Sequence, residues 1–246
     1  MTRQRGQDGI DIIVLNYNNE GHIEKCVGSI IEKTEGRYNL IVVDQGSTDG
    51  SREWLVKKQK VISHLILNEE NTGAWEGRNQ GLRESRYPWV CFLDSDIEVR
   101  DKDWIDKLWL NTIDPRIGIV EARVTLWDNT IRFAGFAACM IRKRVFREIG
   151  LFDGRFLIGG DLDFWIRFVW NGKWHTAYAD DTDIYHACGA TLTHGVLGNR
   201  REELDTKYRK ELLRFKHTER VIQQYLVPFN EARAQQERAR GWHNAM

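Results

Sequence analysis

No charge of either sign is in excess in this chain: 36 Lys and Arg balance 36 Asp and Glu over 246 residues. A chain without a net field is not drawn to polyanions, so nucleic acid is not an expected partner. No run approaches the roughly 20 apolar residues that a spanning helix requires, and residues 1–8 lack an apolar leader-like segment. Any membrane contact would therefore be peripheral. Cysteine is scarce and scattered (Cys26, Cys91, Cys139, Cys188), with no Cys-x-x-Cys pair. That usage fits reduced core thiols and a cytoplasmic setting better than a disulfide frame or a zinc site. Repeats and low-complexity linkers are also missing, which argues against a second catalytic domain.

What is present is an alternation of short β-branched runs with helical periodicity. Residues 10–15 read as a buried strand that stops at Asn16-Tyr17-Asn18-Asn19, and residues 22–34 place Ile23, Val27, Ile30 and Ile31 on one helix face. The unit repeats as strand 40–43 and helix 52–60, then strand 65–67 and helix 73–84, and a fourth strand is expected at 89–93. Such alternation predicts an α/β fold with a mostly parallel central sheet flanked by helices. A helix is expected over 101–113, strand-rich structure over 117–132, and short helices over 144–149 and 162–170. Residues 202–240 read as helical, interrupted at Pro228.

Ligands of open parallel sheets bind beyond the carboxyl ends of the strands, which brings Asn16 and Tyr17, Asp44, and the Asp94-Ser95-Asp96 triplet to one edge. Two carboxylates there can hold Mg²⁺ or Mn²⁺ against a diphosphate. Turn and cap residues have the same composition, so the triplet alone does not decide between ligand and turn. Asp44 ends a strand ahead of a small polar loop and can accept the imide N–H of uracil, with Tyr17 stacking on the base; capping of the next helix and core packing are the competing roles.

These pieces occur together and in order. IIVLNYNNE at 12–20, IVVDQGSTDGS at 41–51, NEENTGAWEGRNQG at 68–81, VCFLDSDIEV at 90–99, ACMIRKRVFREIGLFDGRF at 138–156 and GGDLDFWIR at 159–167 resemble the family 2 glycosyltransferases over about residues 10–190. The resemblance implies a GT-A, Rossmann-like domain, taken as residues 1–198; residues 199–246, which have no clear match to the family's core, read as a C-terminal helical extension. It implies an inverting transfer of sugar from a nucleotide-diphosphate sugar, UDP-linked, to an acceptor hydroxyl of a glycan or glycoconjugate. Its residue roles carry over as Asp44 and Tyr17 at the base, Asp94 near the ribose, Asp96 on the metal, and Arg78 and Asn79 supporting the donor pocket. His186, in DIYHACGAT, corresponds to a late histidine that serves the metal or the diphosphate, with His194 a weaker substitute.

One departure stands out. The family's acidic pair, Glu-Asp-x-Asp, reads Gly160-Asp161-Leu162-Asp163 here. Asp161 remains as the expected general base, for which one carboxylate suffices. Asp163 is expected to pair with Arg167 one turn on. Trp127, Trp165, Trp170 and Trp174 fall in the acceptor-side half, where sugar rings pack on aromatics, although core packing suits most of them. Two other readings remain open at this level: a sugar nucleotidyltransferase, which would want a Gly-rich loop where Asn16-Tyr17-Asn18-Asn19 stands, and a non-catalytic nucleotide-sugar-binding protein, motivated by Gly160. The basic C-terminal helices leave open a homodimer or a contact with the inner face of the membrane.

Overall fold

The computed structural model describes residues 9–156 and 159–187, together with Glu231, Gln235 and Ala239. The expected extension over 199–246, with any dimer or membrane contact through it, lies outside the described residues apart from those three positions. His194 and Cys188 lie outside them too. No helix among the described residues is long and apolar enough to cross a membrane.

The first half follows the expected alternation: β1 (Ile10–Asn16), α1 (Glu20–Lys33), β2 (Tyr38–Asp44), α2 (Ser51–Lys58), β3 (His64–Leu67), α3 (Ala74–Glu84) and β4 (Trp89–Asp94). The order β3-β2-β1-β4 is parallel throughout. Side-chain alternation explains why each strand carries apolar residues on both faces. Ile12 and Val14 of β1 and Cys91 and Leu93 of β4 join one core with α1 and α4, while Ile13, Val90 and Phe92 join a second core under α3, α5 and α6. Cys26, Cys91 and Cys139 are buried and free, as their apolar settings suggest.

Beyond β4 the pairing becomes mixed, so the parallel expectation describes only the first half. The chain continues through β5 (Ile97–Val99), α4 (Trp104–Leu110), β6 (Ile117–Leu126), β7 (Ile131–Phe133), β8 (Ala138–Arg142), α5 (Lys143–Ile149), α6 (Gly160–Asn171), β9 (His175–Ala179) and β10 (Ile184–His186). Strand β8 runs antiparallel between β4 and β6. The first half of β6 pairs with β8 and β9, and its second half with β7 and β10. One long strand thus leaves the main sheet and carries β10 and β5 round to the tip of β4.

Helix α3 lies unusually close to β1. A Cβ on Gly81 would meet Ile13 at 2.5 Å, and one on Gly77 would meet Gln45 Nε2 at 2.0 Å. Glycines four apart remove that obstacle. Their neighbour Arg78 is thereby seated at the carboxyl edge of the sheet.

Candidate functional site

The register of three strands builds the site. Asn16, the last residue of β1, faces Asp44 of β2, and Leu15 faces Asp94 of β4. Asp44 and Asp94 therefore flank the end of β1 on either side, roughly 10 Å apart at two strand spacings. The intervening loop is zipped to both. Asn16 Nδ2 donates to Asp44 Oδ1 (2.8 Å), Asn18 N donates to Ser47 Oγ (2.9 Å), and Asn19 Nδ2 donates to Ser95 Oγ (2.9 Å). Asn18 adopts φ 45°, a left-handed conformation that Asn tolerates. The three asparagines are thus the frame that holds the two acidic loops in register, which sequence reading reached only as turn formers.

Asp44 is fully buried. Its Oδ1 also accepts from Ser47 Oγ (2.6 Å) and its Oδ2 from Ser47 N (3.1 Å), with Arg52 Nη1 3.9 Å away. Beside it, Tyr17 is half-buried with no hydrogen bond or ring contact among the described residues.

On the other side of β1, Asp94, Asp96 and His186 each offer a ligand atom, all within 4.8 Å of one another. Strand pairing explains the meeting: His186 of β10 is in register with Ile97 of β5, and Ala187 N donates to Asp96 O (3.0 Å). His186 Nε2 lies 3.2 Å from Asp96 Oδ1, both side chains being nearly buried. Asp94 is a third exposed and its Oδ1 accepts from Arg78 Nη2 at 2.6 Å. Loss of hydration pushes the Asp94 carboxyl above its ordinary range, with Arg78 pulling it partway back. For Asp96 the same desolvation is outweighed by the hydrogen bond and charge of His186, so its carboxyl is held below the usual range. Two carboxylates and an imidazole suit Mn²⁺ or Mg²⁺. The buried His186 Nδ1 has no hydrogen-bond partner. The residues present fit a divalent ion, with Asp94 already partly committed to Arg78.

Helix α6 brings up Asp161. Asn79 of α3 exchanges two hydrogen bonds with the backbone of Phe152, Nδ2 to O at 2.8 Å and N to Oδ1 at 3.1 Å, which clamps the segment leading to α6. Asn79 is thus a structural clamp, while Arg78 points to Asp94. Asp161 is half-buried in the first turn of α6, next to Gly160. A Cβ on Gly160 would stand 2.6 Å from Nε1 of Trp75, so the indole fills the space that a side chain at position 160 would need. Trp75 lies 5.0 Å under the Arg78 guanidinium. A continuous path of contacts, Gly160 to Trp75 to Arg78 to Asp94, thus connects the start of α6 to the acidic rim. Trp75 was invisible to sequence reading; the one signal available was the missing acid at Gly160, which its indole makes necessary.

Asp163 pairs with Arg167 as the spacing predicts, at 2.7 and 3.0 Å, and Arg167 also donates to the carbonyls of Ile149 and Leu151. The carboxylate is fully buried. Replacing it with Ala leaves a mostly buried guanidinium without its partner, and on the order of 3 kcal/mol of stability should be lost. Urea denaturation checks this, and an unchanged midpoint would show the pair to be dispensable. Of the four tryptophans, Trp165 and Trp174 are core, whereas Trp170 is 54% and Trp127 66% exposed. Trp127 follows Leu126, which is paired with His186, so it stands at the same rim.

Residues 11–124 match the model of a family described as glycosyl transferase family 2. Over 121 residues the chain is 36% identical to the glycosyltransferase GlyA of Streptococcus pneumoniae, an overlap that covers 48% of this chain and 16% of that protein. The chain therefore spans only a small part of that relative. Among solved structures, the mannosyltransferase PcManGT from Pyrobaculum calidifontis, in complex with GDP-Man and Mn²⁺, aligns with a TM-score of 0.59 at 20% identity, covering 72% of this chain and 56% of the other. TarS 1-349 of S. aureus in complex with UDP-GlcNAc aligns at 0.60 and 17% identity, covering 72% and 58%. At these identities the likeness establishes a shared fold.

Proposed function

We propose, from the match of residues 11–124 to glycosyl transferase family 2 and the shared fold, that the protein moves a sugar from a UDP-linked donor to an acceptor hydroxyl with inversion. The observation that carries the reading is the cluster of Asp94, Asp96 and His186 set across β1 from Asp44. That spacing suits a ligand with a base at one end and a diphosphate at the other. The GDP-Man and Mn²⁺ held by the Pyrobaculum neighbour and the UDP-GlcNAc held by TarS support a nucleotide sugar as the ligand class.

Each residue has a task under this reading. Tyr17 stacks on the base, and Ser47 Oγ, a single-bond rotor now on Asp44 Oδ1, gives way so that the carboxylate accepts the imide N–H. Arg78 fixes Asp94 toward the ribose side. Asp96 and His186 hold the divalent cation, Mn²⁺ or Mg²⁺, which when bound supplies charge neutralisation on the departing diphosphate. Asp161 takes the proton of the acceptor hydroxyl as its oxygen bonds to the anomeric carbon. The bond from that carbon to the phosphate oxygen breaks, and the electron pair leaves with the nucleoside diphosphate. The acceptor is a glycan or glycoconjugate hydroxyl, with Trp127 at the rim offering a face to it.

Product analysis tests the reading. The chain with a UDP-sugar, Mn²⁺ and a set of glycan acceptors should release UDP in step with glycosylated product. Release of pyrophosphate would instead identify a nucleotidyltransferase, and tight binding without turnover on any acceptor a binding protein.

A further inference from the structure

Trp75 sits in the first turn of α3 and is 8% exposed. Its ring is backed by Phe136 and Phe152, at centroid distances of 5.9 and 5.4 Å. One side of it carries the Arg78 guanidinium, 5.0 Å from the ring and itself bonded to Asp94. Gly160, the residue before Asp161, packs over the pyrrole ring. Under the function proposed above, the ribose lies on the Asp94 side, the diphosphate at the cation held by Asp96 and His186, and the incoming hydroxyl at Asp161. The sugar being moved lies between the diphosphate and that hydroxyl, and Trp75, in contact with Arg78 on one side and Gly160 on the other, joins the two sides.

The indole N–H makes the wall chemically one-sided. Nε1 is buried and has no acceptor among the described residues. Buried Trp N–H groups ordinarily find a partner, so an orphan here calls for one from outside the protein. Gly160 contributes no side chain, and indole donates but does not accept. A hydroxyl that accepts here must still place its own proton on a second acceptor. A carbonyl or carboxylate oxygen, which only accepts, matches it.

We propose that Trp75 is a sugar-specificity residue, its indole forming the wall beside the transferred sugar and its N–H selecting a substituent with an acceptor-only oxygen, an N-acyl carbonyl or a carboxylate. This rests on the roles given above to Asp94 and Asp161. Gly160 is then the residue that lets the indole reach its seat.

The test is calorimetric binding of UDP, UDP-glucose, UDP-N-acetylglucosamine and UDP-glucuronate in Mn²⁺ to the parent chain and to Trp75→Phe. The parent should bind the N-acetyl or the uronate donor roughly tenfold more tightly than UDP-glucose, the size of one net hydrogen bond. The N-acetyl and uronate arms tell which oxygen is read. Trp75→Phe, which keeps a ring and loses the N–H, should erase the preference while UDP affinity stays within twofold. Gly160→Ala, which drives a methyl against the pyrrole ring and shifts the N–H from its seat, should weaken the same preference if the phenylalanine variant does not fold. Equal affinity of the parent for all three sugars, or a preference that survives in both variants, would overturn the proposal while leaving the function intact. Failure of the parent to bind any of the four, UDP included, would remove the functional reading beneath it as well.

Discussion

Asp161→Asn should bind the UDP-sugar with an affinity within twofold of the parent chain and transfer it roughly 10³-fold more slowly, a loss of the size expected when a general base is removed. The substitution is nearly isosteric, so shape at the half-buried first turn of α6 is kept while the basic oxygen is replaced by an amide. Loss of a carboxylate from a helix N-terminus costs only about 0.3–1 kcal/mol, too little to explain such a fall through unfolding. The neighbouring carboxylate is no substitute, because Asp163 is fully buried and held by Arg167. Initial rates of UDP release, paired with calorimetric binding, separate the two quantities. Turnover above a tenth of the parent's would move the base elsewhere.

Asp96→Asn should weaken binding of UDP in Mn²⁺ on the order of 100-fold, since even outer residues of a metal site cost 10–100-fold when altered. The residual affinity should equal that of the parent chain in EDTA, because both then lack the bridge between protein and diphosphate. The choice of Asp96 over Asp94 follows from their partners. Asp94 is tied to Arg78 at 2.6 Å, whereas Asp96 faces His186 at 3.2 Å and its carboxyl is held in the charged form. His186→Ala should show a smaller loss of the same kind. If Asp96→Asn binds UDP equally well with Mn²⁺ and with EDTA, and as tightly as the parent does, the cluster has no metal function.

Much of this site can be read from local sequence because it is built by strand ends. A parallel βα alternation fixes which edge the tips of β1, β2 and β4 share, so Asp44 and the Asp94-Ser95-Asp96 turn are foreseeable as neighbours. The pairing of Asp163 with Arg167 is likewise local, one turn along a helix. What escapes is set by long-range geometry. The bend of β6, which sends one strand through two sets of partners, has no signature in its alternation, and it is this bend that delivers His186 to Asp96. Helix α4 is shorter than the expected 101–113, starting after Asp103, which with Asp101 pairs with Lys107. The seat of Trp75 over Gly160 joins residues 85 positions apart, and only the packing of α3 against α6 discloses why glycine stands there.

The proposed donor site requires one ion between the tip of β4 and the end of β10 while the base of the same nucleotide reaches across β1. Crystals grown with UDP and Mn²⁺, with diffraction recorded at the manganese edge, address it directly. The expected result is a single strong anomalous peak bonded to Asp96 and His186 and to diphosphate oxygens, with the uracil ring against Tyr17 and its imide at Asp44. A nucleotide seated away from that rim, or manganese bound without contact to Asp96, would contradict it.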